Sequence, residues 1–287
     1  MAESNAPLPA TTRVAHAWPK RWLRTVQFGL ARLTSRDGFV TARAAPFDLT
    51  FTGPAADVIT RHIYRLGAHE PAITRYLLEH VRLGPTDVAL DIGANLGWYS
   101  VLLNRLSAGG ARIYAFEPDP QTFRLLRTNL TANQAMRVNA FNFALGAAPG
   151  SAQLRRYKDS NNGRHSLIPG DDIAGSVTVP LDTLAHFWEA QGLGASRIAF
   201  MKVDVEGFEY FVLKGAGELL RRCANILLEY SPASLALAGL PADALIELLE
   251  ANGLTARAFV DGRPQPVSYA ELRRAPAQLD LLLSPQG

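Results

Sequence analysis

Apolar and polar residues follow two periods along this chain. From Trp18 to Leu33, Trp22, Val26, Leu30 and Leu33 recur at helical spacing, with Arg21, Arg24 and Arg32 elsewhere on the turn. That pattern predicts a basic amphipathic helix. Phe39-Val40 and Asp48 to Phe51 read as short strand pieces among Gly38, Pro46, Gly53 and Pro54, which suits a hairpin or lid. Helices are expected over Asp57–Leu66 and Ala72–Arg82, broken at Gly67 to Pro71. Short apolar runs follow at Val88–Ile92, Ile113–Phe116, Val138–Leu145, Ile198–Val205, Asn225–Tyr230, Thr255–Val260 and Leu279–Leu283. Runs apolar on both faces are how buried strands of a parallel sheet read. Helical stretches separate them: Trp98–Leu106, Pro120–Asn133 behind a capping Asp119, and a helix through Trp188 behind a capping Asp182. Two more are Phe208–Leu220, weakened at Gly215-Ala216-Gly217, and Ala242–Ala251. Strand and helix in alternation predict an α/β fold with a Rossmann-like sheet. Gln153–Tyr157 and Val177–Leu181 are expected as extra strands around a polar loop, Asp159 to Asp172. A proline-bearing insertion precedes the last strand.

The run from Ile198 departs from the buried pattern. Ala199, Met201, Val203 and Val205 point one way, and Lys202, Asp204 and Glu206 the other. Three charges on one face would be costly to bury unpaired. They are accommodated if they approach the C-terminal edge of the strand, where ligands bind in such sheets. Lys202 is expected to pair with Asp204.

The first strand ends in Asp91-Ile92-Gly93-Ala94-Asn95-Leu96-Gly97, and a helix resumes at Trp98. Strand, glycine turn and helix form the nucleotide-facing corner of a Rossmann-like sheet. A dinucleotide fingerprint would be Gly-x-Gly-x-x-Gly, and here the middle glycine is missing. Asp91 before the turn would repel a pyrophosphate but can accept hydrogen bonds from an ammonium group. Glu117, twenty residues beyond Gly97, stands where an acid can hold two ribose hydroxyls. Acids at both strand ends favour a nucleoside bearing an amino acid, such as S-adenosylmethionine, over a dinucleotide.

Length and composition set the frame. The chain has 287 residues, 48% of them hydrophobic and 19% charged, as in a soluble globular protein with a large core. Residues 1–66 are expected as a basic extension and 67–287 as the Rossmann-like domain, with residues 1–15 disordered. The single cysteine, Cys223, permits no intrachain disulfide and fits a reducing compartment. No apolar stretch is long enough to span a bilayer, and the N-terminus lacks the layout of a secretory signal, so a cytoplasmic protein is expected. Residues 1–65 carry nine Lys or Arg against four Asp or Glu, a balance of +5, and the remaining 222 residues carry −2. The core domain has no basic, aromatic-interleaved stripe for nucleic acid. The basic helix at 18–33 reads either as a contact with an anionic membrane or acidic glycan carrier, or as a helix packed on the catalytic domain or in a homodimer. Packing is the expectation.

Asp-Ile-Gly-Ala-Asn-Leu-Gly (91–97), Phe-Glu-Pro-Asp-Pro (116–120) and Lys-Val-Asp-Val-Glu-Gly-Phe-Glu (202–209), in this order, resemble the FkbM family of methyltransferases. Leu181-Asp182-Thr183-Leu184 and Val212 to Ala216 add to the likeness, which runs from about His69 to Glu229. The resemblance implies a seven-stranded sheet with the last strand antiparallel, S-adenosylmethionine as donor, and a hydroxyl acceptor on a sugar or secondary metabolite.

On this reading Asp91, Gly93, Asn95 and Gly97 surround the methionine part, Glu117 holds the ribose, and Asn142 and Ala144 lie beside the adenine. Glu70 reaches the donor site as in the resembling family. Asp204 binds the ammonium or acts as base. Glu206, Glu209 and Glu229 are the other acids near that edge. His165, in a loop able to close over the acceptor, is the other candidate base. Asp204, Glu206 and Glu229 could together hold Mg²⁺. Two rival functions remain: a nicotinamide-dependent oxidoreductase with a degenerate turn, and a non-catalytic scaffold of the same fold.

Overall fold

The computed structural model describes residues 18–107, 110–157, 165–168, 173–241 and 243–286. The segment expected to be disordered, 1–15, and most of the loop 159–172 lie outside the described residues.

Helix α1 (Trp18–Thr34) leads into a hairpin of β1 (Phe39–Ala44) and β2 (Leu49–Pro54), then α2 (Val58–Leu66) and α3 (Pro71–His80). Asp57 caps α2 by accepting Thr60 N–H at 2.8 Å, and Gly67 closes it in the left-handed conformation. The sheet strands are β3 (Val88–Ile92), β4 (Arg112–Phe116) and β5 (Val138–Phe141), connected by α4 (Trp98–Leu106) and α5 (Pro120–Ala132). After β6 (Ala144–Leu145), β7 (Gly150–Tyr157) and β8 (Ile173–Asp182) come α6 (Leu184–Ala190), β9 (Ile198–Val203), α7 (Glu209–Ala216) and β10 (Ile226–Tyr230). The chain ends with α8 (Pro232–Leu237), α9 (Ala244–Ala251), β11 (Leu254–Val260), β12 (Arg263–Val267), α10 (Tyr269–Leu272) and β13 (Leu279–Pro285).

The large sheet has the order β12-β11-β13-β10-β9-β3-β4-β5. Its strands from β10 to β5 pair in parallel, and β13 runs antiparallel to both β10 and β11. This is the expected sheet with one addition. The proline-bearing insertion forms β12, an antiparallel eighth strand at the edge, the position where Pro264 and Pro266 are tolerated. Leu90, Ile92 and Phe116 pack on one face with Phe187 and Trp188. Ala89, Ala115 and Phe200 pack on the other with Trp98 and Leu102. Burial on both faces explains the unbroken apolar runs.

Three local expectations are corrected. The cap of α6 is Thr183, whose hydroxyl accepts His186 N–H at 3.0 Å, while Asp182 instead takes Thr183 N–H and the His186 ring. The alternation read through Val205 ends at Val203. All six residues of β9 are buried, and Glu206 is in a turn with φ of +53°. Finally, α1 does not pack through its apolar stripe. It packs through Phe28 and Ala31, and the stripe faces outward.

Residues 39–66 share a core with the large sheet. Phe47 and Phe51 stand against Trp98, with ring centroids 5.9 and 5.2 Å away. The outer edge of β2 is bonded by side-chain amides from α5 and its cap. Asn129 takes Thr52 N–H at 2.8 Å and donates to Thr52 C=O at 3.1 Å. Asn133 does the same at Thr50, at 2.9 and 2.7 Å. No helix among the described residues is long and apolar enough to cross a membrane.

Candidate active site

The C-terminal edge of the parallel strands opens into one cleft. The turn after β3 is built on positive φ angles at Gly93 (+80°), Asn95 (+48°) and Gly97 (+89°). Gly93 N–H and Ala94 N–H both donate to Phe116 C=O, at 3.0 and 2.9 Å. Glu117 then joins the two loops. One carboxylate oxygen accepts Asn95 N–H at 2.9 Å and the other accepts Asp119 N–H at 2.8 Å. Burial pushes its carboxyl up to about 8 against the opposing pull of these backbone donors. Asn142 Nδ2 donates to the carbonyls of Glu117 and Pro118, at 2.8 and 2.9 Å, and holds the loop that carries Glu117.

Across the switch point the cleft becomes charged. Lys202 Nζ donates to Asp204 Oδ2 at 2.7 Å, the expected ion pair, with the lysine buried. Burial alone would push Lys202 down, but the carboxylates of Asp204, Glu70 and Asp91 raise it. Burial likewise opposes charge on Asp204, and the Lys202 ammonium outweighs it, holding the carboxyl below the usual range. Lys202 Nζ also lies 4.7 Å from the centre of the Tyr99 ring, and Tyr99 OH donates to Glu70. His69 Nε2 lies 3.5 Å from Glu70 Oε1, and His69 Nδ1 is buried without a partner.

Beyond Asp204, Glu209 accepts Val205 N–H and Gly207 N–H at 3.0 and 3.1 Å, which fixes the turn after β9. Glu229 is pushed up by burial and by the charges of Asp204, Glu206 and Glu209, so it holds its proton at neutral pH. Gln278 donates to it. Among the described residues no three His, Cys, Asp or Glu side chains come close enough together to share a metal ion. Asp204, Glu206 and Glu229, the acids that could have held Mg²⁺, do not form such a cluster, because Asp204 is turned onto Lys202 and Glu229 onto Gln278.

His165 stands over the cleft from the small sheet of β6, β8 and β7. Ser166 Oγ donates to Glu206 C=O at 2.6 Å, tying this segment to the rim beyond β9. His165 Nδ1 is buried without a partner, and burial lowers the imidazole, which stays neutral at physiological pH. Thr122 and His165 also border a second groove that runs over Arg124, Arg156 and Tyr157. Arg156 Nε meets Asp119 Oδ2 at 2.5 Å at the boundary.

The structure thus brings Glu70, Gly93, Asn95, Glu117, Ala144, His165, Asp204, Glu206 and Glu229 to one cleft. Asp91, Gly97 and Asn142 do not line it. Asp91 is fully buried behind the turn, where Ser100 Oγ donates to its Oδ2 at 2.5 Å, and burial raises its carboxyl. Gly97 starts α4, and a Cβ there would lie 2.6 Å from Leu126 Cδ1. Sequence reasoning passed over His69, Tyr99, Thr122 and Phe143, all of which line the cleft. The available signal for the first two was position: His69 precedes Glu70-Pro71, and Tyr99 follows the glycine turn by two residues.

Comparison with known proteins gives a consistent result. The profile described as "Methyltransferase FkbM domain" matches residues 91–253. Hexuronic acid methyltransferase AglP of Haloferax volcanii is 28% identical over 160 residues, covering 56% of this chain and 62% of AglP. 31-O-demethyl-FK506 methyltransferase FkbM of Streptomyces tacrolimicus is 29% identical over 173 residues, covering 49% of this chain and 63% of that protein. 2-O-methyltransferase NoeI of Sinorhizobium fredii is 26% identical over 191 residues, covering 60% of this chain and 75% of NoeI. The chain therefore spans less than two thirds of the length of AglP and FkbM.

Proposed function

The chain belongs to the FkbM-domain methyltransferases, and we propose that it moves a methyl group from S-adenosylmethionine to a hydroxyl oxygen on a sugar, glycan or secondary metabolite. Methylation at a named oxygen is given for FkbM and NoeI, and a hexuronic acid for AglP. The shared acceptor chemistry is carried over here, and not those substrates.

The observation that carries the donor assignment is Glu117. Each of its oxygens accepts one backbone N–H, and once ionised each keeps a lone pair for the cleft, which suits two neighbouring hydroxyls of a ribose. The rest of the donor set is consistent. Phe116, Phe143, Ala144 and Leu145 give an apolar slot for a nucleobase. Lys202 and Asp204 offer opposite charges to the two ends of an amino acid. Carboxylates at Glu70 and Asp204 would repel a pyrophosphate, which disfavours a nicotinamide dinucleotide.

When bound, the donor supplies an electrophilic methyl group on a positively charged sulfur. The chain's own residues align the acceptor with it and accept a proton. His165 is assigned the proton, because it lines the cleft and burial keeps its imidazole neutral. Asp204 is a weak base while Lys202 holds it charged. Glu229, held protonated, has a proton to offer the cleft while its Oε1 accepts from Gln278. Glu206 sets the rim on which the His165 segment rests.

Thermal unfolding in the presence of S-adenosylhomocysteine or NAD tests the donor. Protection by the first and not the second is expected, and the reverse would favour an oxidoreductase. Transfer of a tritiated methyl group into an extract of the producing cell then identifies the acceptor. Donor binding without transfer to any hydroxyl-bearing compound would favour the scaffold reading.

A further inference from the structure

Helix α1 has two apolar faces and the protein uses one of them. Phe28 is buried against Tyr64, ring centroids 5.2 Å apart, with Ala31 beside it. Arg65 Nε donates to Thr25 Oγ1 at 3.0 Å, so this side is fixed to α2. At about 100° per residue, Trp22, Leu33, Val26, Leu30 and Leu23 span an arc of roughly 100° on the side away from Phe28 and Ala31. Their exposures are 65, 83, 42, 58 and 50%. Five large apolar side chains on one helix face form the kind of patch that marks an interaction surface.

The charge of the segment selects the partner. From Trp18 to Arg36 the chain carries Lys20, Arg21, Arg24, Arg32 and Arg36 and no Asp or Glu. The first acid, Asp37, is turned back onto Ser35 Oγ and Phe39 N–H. A second copy laid stripe against stripe would cover the apolar arc and leave these cations without an anion, since the segment supplies none. A nucleic acid would satisfy the arginines and leave the apolar arc in water. Residues 1–17 contain only Met1, Leu8 and Val14 as large aliphatic side chains, too few to cover the arc. An anionic lipid surface takes both features, acyl chains receiving the stripe and headgroups the exposed cations of Arg32 and Arg36, while Arg24 is held against Tyr64 C=O at 3.5 Å.

We infer that α1 is a membrane-surface helix that lies in the plane of an anionic bilayer, with Trp22, Leu23, Val26, Leu30 and Leu33 at the boundary between headgroups and acyl chains. Because α1 rests on α2, whose first turn supplies Val58 and Ile59 to the cleft wall, attachment holds the cleft close to the lipid surface. This inference is independent of the donor assignment.

The test is flotation of the full chain with vesicles of phosphatidylcholine alone or with about 30% phosphatidylglycerol. At about 50 mM salt, at least about tenfold more protein should float with the anionic vesicles, and raising salt to about 500 mM should release most of it. The double variant Leu30→Asp, Leu33→Asp should lose flotation by at least about tenfold, with an unchanged melting temperature and unchanged S-adenosylhomocysteine binding, since both residues are exposed and outside the cleft. Trp98 and Trp188 are buried, so a vesicle-induced blue shift of tryptophan emission would report on the helix. Absence of flotation on anionic vesicles overturns the inference. A dimer in solution that the same double variant dissolves, without vesicle binding, would assign the face to a second copy instead.

Discussion

Gly93 and Asp204 meet backbone to backbone. A Cβ placed on Gly93 would lie 1.8 Å from the carbonyl oxygen of Asp204, and Gly93 already holds a φ of +80°. The turn after β3 and the turn after β9 are thus seated on each other with no side chain between them. Gly93→Ala should destabilise the protein by about 2–4 kcal/mol, through strain at the positive φ and through displacement of the Asp204 backbone. Denaturant melts measure the first effect. Weaker binding of S-adenosylhomocysteine, by calorimetry, measures the second.

Glu117→Ala should weaken S-adenosylhomocysteine binding at least about tenfold, because two charge-assisted hydrogen bonds are removed. Wild-type affinity should also depend on pH. The carboxyl, pushed up to about 8, must lose its proton to accept both hydroxyls. Affinity should therefore rise by up to about tenfold per pH unit below 8 and level off above it. An unchanged dissociation constant in the variant would remove the ribose assignment.

Stability should move the other way. A carboxyl raised in the folded state binds its proton more tightly there than in the unfolded chain. Its contribution is fully present below the ordinary pKa and is lost as pH climbs through the folded value. Glu117 at about 8 and Glu209 at about 7 share this sign. The ligand-free protein should melt at lower temperature at pH 8.5 than at pH 6 in differential scanning fluorimetry. S-adenosylhomocysteine should recover part of the difference.

Lys202→Met should cost about 3–5 kcal/mol, because it leaves the Asp204 carboxylate without its partner in a poorly solvated site. Adding Asp204→Asn should return most of that stability. A double variant no more stable than Lys202→Met would show that the pair is not energetically coupled.

His165→Asn should lower kcat by about 10²–10⁴ while leaving the S-adenosylhomocysteine dissociation constant within about twofold. Because burial lowers the imidazole, the acid limb of the wild-type rate profile should fall below pH 6.5, and the variant should lack that limb. A variant that keeps both the rate and the limb would transfer the base to another residue.

The sheet was legible in the sequence because both of its faces are buried, so Val88–Ile92 and Ile198–Val203 are almost wholly apolar. Glu117 was legible because its distance from the glycine turn is set by one helix and one strand. Asp91 was harder. The residue type suggested a ligand contact, but in β3 its side chain is directed into the packing beneath α4, where Ser100 meets it. The Tyr99–Glu70 contact joins residues 29 apart, and the Ser166–Glu206 contact residues 40 apart. No local spacing rule reports pairs of that separation. The cap at Thr183 was missed because Asp182 is also a good capping residue, and only the strand end of β8 decides between neighbours. The outward stripe on α1 could not be inferred either, since periodicity gives the faces of a helix and not which one meets the fold.

The amides of Asn129 and Asn133 do for β2 what a neighbouring strand would do. They close an edge that would otherwise be open to pairing with another chain. A shortened version of this protein begun at residue 67 would lose the aromatic wall over Trp98, break the four hydrogen bonds that the side-chain amides of Asn129 and Asn133 make to β2, and remove Val58 and Ile59 from the cleft. Anyone paring the enzyme down to a minimal catalyst would have to keep the hairpin or rebuild what it covers.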